Sequence, residues 1–455
     1  MSITGRFADR SYLTKFGILS LLCAVLGFFG STFTSSPGTT LEARYAYLLA
    51  RTAIAAFIVL MIYSVHQFSI RSESVAINAP LMPKVTDPLL TLRGFAFVMV
   101  FNGHYFRIVF PVADLSQALE RQPLMGLLTT APWAGVWIFF ALSGYLIGKG
   151  FFTGRHVADR VGIAKYVTNR ALRIVPLYVF SLVFISLLQY EYILKPTNIW
   201  MLIQMLVFDY KGDMPINPIG DLWTISTEFQ FYLVAPFVFL LMRLAHKKAS
   251  LPLLMIVLAA GFAARYAALS MNGAAWYSFV YTPFLANLDL FLSGMLLSKV
   301  LAESKSHLLS IRHRDVFLPI GLFVIAAFFV AISVFPQLSG IVGSGFAASI
   351  SFWVTVTCVS ALLVIALFEA ADVRSAKDRW SLAHWITAKT QIVGILTYSL
   401  YVFSAPVLLS MRKIAPPTLS LPDSLTYFLP VCLLLFAISF TFYQFLERPF
   451  EKPKF

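Results

Sequence analysis

Apolar residues in this chain come in runs of roughly 17 to 25, the length that carries a helix across a bilayer's hydrocarbon core. The runs fall at 16–34, 46–66, 91–111, 131–152, 174–192, 221–242, 252–270, 283–301, 316–335, 347–369, 392–411 and 425–446, and they predict an all-α, polytopic transmembrane helical bundle of about 12 spans. A further apolar stretch, 199–208, is too short to cross and reads as a re-entrant or interfacial piece. Pro80, Pro83 and Pro88 break the pattern after the second span. The expected organisation is therefore a two-helix membrane extension over 1–66, a linker over 67–87 and a ten-helix domain over 88–455.

Composition agrees with the pattern. Hydrophobic residues make up 59% of the chain and charged ones 12%, with a mean hydropathy of +0.79, against about 25% charged in soluble domains. The net charge of +14 does not indicate a nucleic-acid partner, because Lys and Arg sit in short clusters between apolar runs. Those clusters follow alternate loops: Arg155, Arg160, Lys165, Arg170 and Arg173; Arg243, Lys247 and Lys248; Lys305, Arg312 and Arg314; Arg374, Lys377 and Arg379. Cytoplasmic loops carry such an excess, so both termini are expected in the cytoplasm, in a plasma (inner) membrane. Arg412 and Lys413 break the rule on the outer side of the eleventh span. The N-terminal run 16–33, behind Arg6, Arg10 and Lys15, has the length of a span and no Ala-x-Ala cleavage pattern after it, so it reads as a retained signal anchor. Cys23, Cys358 and Cys432 lie within apolar runs and read as small core hydrophobes, with no metal site or disulfide framework indicated.

Ionisable side chains within spans are expensive and become functional candidates for that reason. His104 lies eleven residues after Arg93 on one predicted helix, and Glu228 lies within the sixth span. Counting 1.5 Å per residue from the span ends puts His104 and Glu228 at similar depth, where a neutral imidazole and a carboxylate would suit general-base work. Helix-to-helix hydrogen bonding is the structural alternative for both. Arg170 and Arg173, three apart, share a helical face at a cytoplasmic mouth and would hold phosphates of a nucleotide-like donor, or simply anchor the helix. Ser143 lacks the glycines of a nucleophile elbow and reads as a packing residue.

In order, Leu92-Arg93-Gly94 with His104, residues 139–147 (FFALSGYLI), 170–178 (RALRIVPLY), 221–233 (DLWTISTEFQFYL), 290–297, 398–406 and Glu447-Arg448-Pro449-Phe450 resemble the acyltransferase-3 family of membrane acyltransferases. The resemblance covers about 88–455. It implies transfer of an acyl group, acetyl by default and succinyl next, from cytoplasmic acyl-CoA to a hydroxyl of an envelope glycan. The glycan would be an exopolysaccharide, O-antigen, periplasmic glucan or lipo-oligosaccharide, with glycan-synthesis machinery as a possible partner. His104 would be the catalytic base or acyl relay, Glu228 its catalytic partner, and Arg93, Arg170 and Arg173 the donor contacts; no permanently bound cofactor is implied. Asp221, Phe229 and Ser404 depart from the family pattern, where His, an acidic residue and His are common. An appended extracytoplasmic esterase-like domain is not expected. A proton-coupled secondary transporter or a glycan export component is the rival reading, although the halves show no mutual similarity.

Overall fold

The computed structural model describes residues 85–109, 131–189, 199–209, 222–272, 277–334, 345–414 and 421–448; the expected two-helix extension, most of the linker and Asp221 lie outside them. Within the described residues all ten predicted core spans are helices: α1 Pro88–Val109, α2 Pro132–Phe152, α3 Arg160–Gln189, α4 Leu222–Leu244, α5 Ser250–Asn272, α6 Leu288–Glu303, α7 Phe317–Val334, α8 Phe346–Ala370, α9 Ser381–Ile414 and α10 Leu421–Phe442. No strand occurs among the described residues. Eight of the described helical segments are long and apolar enough to cross a membrane. The chain is thus an all-α, multi-pass membrane protein.

Two helices exceed the apolar runs that announced them. α3 begins at Arg160, well before the run starting at 174, because its first turns carry Lys165, Arg170 and Arg173. α9 begins at Ser381 and extends over 34 residues, about 50 Å at the standard rise. Its early polar part holds the start of α1: the Gln391 side chain accepts from the Asp87 backbone N–H at 3.2 Å, and the Thr91 hydroxyl donates to the Thr387 carbonyl at 3.2 Å.

Lipid offers apolar side chains no advantage in leaving it, so membrane helices associate by close packing and polar contacts. Glycines supply the closeness here. A Cβ at Gly394 would lie 1.9 Å from the Leu90 carbonyl oxygen, and one at Gly94 would lie 3.0 Å from the Gly394 nitrogen, so α1 and α9 meet backbone to backbone. α2 and α6 do the same: a Cβ at Gly144 would lie 2.1 Å from the Phe291 carbonyl and one at Gly294 2.0 Å from that of Ala141. Phe291 then stacks between Phe140 and Phe231, at 4.7 and 4.4 Å between ring centres. The short helix Ile199–Leu206 folds back on the bundle, as its length implied: the Tyr178 hydroxyl donates to the Met205 carbonyl at 2.7 Å, and Phe208 stacks on Tyr178.

The turn between α2 and α3 passes through Gly154, whose φ of 77° is open to glycine at no steric penalty. Behind it, His156 packs on the rings of Phe151 and Tyr166, 5.3 and 5.1 Å away. Burial, then Arg170, then Arg155 push its imidazole from 6.5 down to about 4.

Two predictions follow from this packing. Gly394→Ala forces a backbone carbonyl to move and should destabilise the protein by about 1–3 kcal/mol, read as a lowered thermal midpoint of the purified protein; an unchanged midpoint would contradict the α1–α9 contact. The folded state holds His156 neutral while the unfolded chain protonates first as pH falls. Stability from this site is therefore complete above pH 6.5 and lost between 6.5 and about 4. Thermal midpoints measured across that range should slope less in His156→Gln than in the wild type.

Candidate functional site

The arginines that the sequence singles out come from different helices and converge. Arg93 of α1, Arg170 and Arg173 of α3 and Glu228 of α4 line one cavity with an empty volume of about 830 Å³, its open mouth included. α2 gives it an apolar wall with Ser143 and Phe139, and α9 closes it with Tyr398 and Tyr401. The Tyr398 hydroxyl donates to the Ile174 carbonyl at 2.8 Å and fixes the turn of α3 that carries Arg173. Thr224 of α4 donates to the Tyr401 hydroxyl at 3.0 Å and joins α4 to α9 across the cavity.

Like charges held together need compensation, and the site supplies it in two ways. Arg93 lies within electrostatic reach of Arg173, which repels it, and of Glu228 and Glu447, which attract it. Glu447 is buried, 1% exposed, and accepts a hydrogen bond from the Ser399 hydroxyl. Arg170 sits over two aromatic faces, 5.3 Å from the Tyr232 ring centre and 5.7 Å from that of Tyr166, a cation–π arrangement. Glu228 accepts from the Ser143 hydroxyl at 2.5 Å and from the Tyr232 hydroxyl one turn along its own helix. A site built this way presents planar donor forks, suited to phosphate or carboxylate oxygens. Among the described residues no cluster of His, Cys, Asp and Glu could hold a metal ion.

His104 is not part of this cavity's lining. It lies on α1 three turns past Arg93, on nearly the same face and about 16 Å along the axis. Gly135 of α2 packs against Ala96 and Val100, so His104 lies near the Pro132 end of α2. Glu228 meets Ser143, eleven residues into that helix, about 16 Å further in. The expected common depth of His104 and Glu228 is therefore not what the fold gives: Glu228 belongs with the arginines. The two depths differ because the first turn of α4 does not lie level with the Pro132 end of α2. That turn already meets the middle of α2, with Trp223 6.1 Å from Phe140.

The departures from the family pattern also find places. Phe229 stacks on Phe208 at 4.1 Å and extends the Tyr178–Phe208 stack, which holds the re-entrant segment and its positive-φ residue, Phe208, at 60°. Ser404 is buried and returns its hydroxyl to the Tyr401 carbonyl at 2.8 Å. Tyr232, Tyr398, Tyr401 and Glu447 were not foreseen as parts of the site. For Tyr232 the signal was available, since it lies four residues after Glu228 on the same helical face; for Glu447 no spacing rule connects it to Arg93.

Similarity to known proteins covers most of the described helices. The acyltransferase domain family model, acyltransferase-3, matches residues 89–444, from the first turn of α1 to just past α10. The O-acetyltransferase OatA of Staphylococcus aureus strain NCTC 8325 is 29% identical over 128 residues, covering 24% of this chain and 21% of the relative. The peptidoglycan O-acetyltransferase OatA of Listeria monocytogenes serovar 1/2a is 28% identical over 199 residues, covering 39% of this chain and 30% of the relative. The chain thus spans less than a third of the length of these curated relatives. No solved structure matches. Because the family match takes in every helix that builds the arginine cavity, the chain belongs to the acyltransferase-3 family of acyltransferase domains.

Proposed function

We propose that this protein is a membrane O-acyltransferase that moves an acyl group, acetyl first and succinyl next, from cytoplasmic acyl-CoA to a hydroxyl of a cell-envelope carbohydrate. The observation that carries the reading is the convergence of Arg93, Arg170 and Arg173 in one cavity. It lies toward the end of the bundle where the α2–α3 turn adds Arg155 and Arg160. By the positive-inside rule that end is cytoplasmic, where CoA is found, with both chain termini on the same side. The relatives' printed names, O-acetyltransferase and peptidoglycan O-acetyltransferase, favour acetyl and a glycan acceptor. An envelope glycan presented by its synthesis machinery fits that reading.

In this mechanism the guanidinia hold the donor's phosphates, Glu228 and Glu447 keep them from repelling one another, and the extended pantetheine arm points along α1 toward His104. The separation of Arg93 and His104, about three helical turns, suits an elongated donor bound at one end and reacting at the other. His104 takes the acceptor hydroxyl's proton as the oxygen attacks the thioester carbonyl; the C–O bond forms, the C–S bond breaks, and the CoA thiolate leaves and is protonated. A relay through an acyl-His104 intermediate gives the same balance in two steps. Glu228 serves the donor end in either route.

The reading is tested by mass spectrometry of envelope glycans from cells carrying wild type, His104→Ala or no protein, at equal membrane levels. Acetyl or succinyl mass should appear with wild type alone. Full modification by His104→Ala would overturn the mechanism, and no change in any glycan would favour proton-coupled transport. Arg170→Lys retains the charge but loses the fork and the flat face over Tyr232 and Tyr166. It should raise KM for acyl-CoA by about tenfold or more with a smaller change in kcat; an unchanged KM would remove Arg170 from the donor site.

A further inference from the structure

A second cavity lies apart from the arginine cavity, between α5, α6 and residues 279–286, with an empty volume of about 1000 Å³ including its open side. Its rim is apolar and exposed: Phe279 is 55% and Leu285 77% exposed, and Ala260 and Ala264 of α5 form a low wall. α5 is a candidate membrane span with little of its surface buried in the bundle, and the cavity opens on that uncovered side, beside the exposed Phe279 and Leu285. The aromatic layer of Phe140, Phe231 and Phe291 lies on the other face of α6.

The floor of this groove is ionic. Arg265, 4% exposed, directs Nη2 to the Asp289 carboxylate at 2.5 Å and Nη1 to the same oxygen at 3.2 Å. Both residues line the cavity. Gly261 is the position that lets Asp289 approach, since a Cβ there would lie 2.1 Å from the carboxylate. The guanidinium's Nε–H, which does not take part in this pairing, is buried and has no hydrogen-bond partner. A pair that only stapled α5 to α6 would not need an adjoining cavity or a spare donor, and buried donors are nearly always satisfied.

We propose that this groove binds a membrane lipid with an uncharged, hydroxyl-bearing headgroup, its acyl chain lying along Ala260, Ala264 and Leu285. The occupant is an amphiphile because the groove joins an apolar, exposed rim to a polar floor. Its headgroup is uncharged because Arg265 and Asp289 already neutralise each other, and a phosphate at Nε would sit beside the carboxylate. A hydroxyl satisfies both partners at once: its oxygen accepts from Nε–H and its proton goes to an Asp289 oxygen. The site is independent of the acyl-transfer reading, since nothing in it uses Arg93, His104 or the donor cavity.

The test uses the full-length protein in nanodiscs carrying a trace of diacylglycerol with a photoreactive acyl chain. Parallel samples contain the same probe with its hydroxyl acetylated, or the corresponding phosphatidic acid. Cross-linking should map to α5 and residues 279–289 and exceed that of either control by about tenfold, a preference worth ~1.4 kcal/mol. Ala264→Phe, which fills the groove and leaves the ion pair in place, should abolish that labelling with an unchanged thermal midpoint. The double substitution Arg265→Leu with Asp289→Leu replaces the pair by apolar groups of similar size, which folds commonly tolerate, and should keep the labelling while levelling it across the three probes. Equal labelling of all probes in the wild type, or undiminished labelling in Ala264→Phe, would overturn the proposal.

Discussion

An arginine inside a membrane-spanning helix is tolerable only when protein, not lipid, surrounds its charge, and Arg93 imposes that condition on the whole bundle. At the bilayer centre an Arg is unfavourable by about 2.5–3.5 kcal/mol even in mild estimates; Arg93 lies nearer one end of α1, but Arg170 and Arg173 add like charge beside it. The helices answer by forming a closed ring around the cluster. α4 brings Glu228, the C-terminal turn after α10 brings Glu447, and Tyr232 and Tyr166 offer ring faces to Arg170. The fold is arranged so that its most expensive groups face one another across one cavity.

Such a ring needs a rigid frame, and lipid supplies no hydrophobic drive to build one. The frame comes from two backbone-close helix pairs, α1 with α9 through Gly94 and Gly394, and α2 with α6 through Gly144 and Gly294. α1 and α9 thereby place Arg93 beside Tyr398 and Tyr401, while α2 sets Ser143 against Glu228. Phe208 and Phe229 complete the arrangement by holding the re-entrant segment ahead of α4. The acidic residue usual at position 229 in the family would lose this stacking, which gives the substitution a structural reason.

The polar groups are segregated by depth along α1. The guanidinium end is crowded and compensated, and the His104 end lies about three turns away along a face that includes Phe97 and Val100, both buried. A donor that reaches from one to the other would lie along α1 against α2 and α9. Glu228 lies at the guanidinium end, against Ser143, and not at the His104 end.

The sequence by itself determined what depends on local pattern. Run length and hydropathy located ten described helices, eight of them in segments long and apolar enough to cross a membrane, because a spanning helix must satisfy its own backbone and cover itself with apolar side chains. Ordered motifs named the family and the arginines of its site. Where charge shares a helix with apolar residues the signal blurred, so the early turns of α3 and α9 were missed. The tertiary structure alone decided depth and partnership. The depth of Glu228 depends on where α4 begins against α2, Glu447 comes within electrostatic range of Arg93 from the far end of the chain, and Arg265 finds Asp289 across two helices. Each of these relates residues distant in sequence, and no periodicity within a helix encodes which neighbour packs against it.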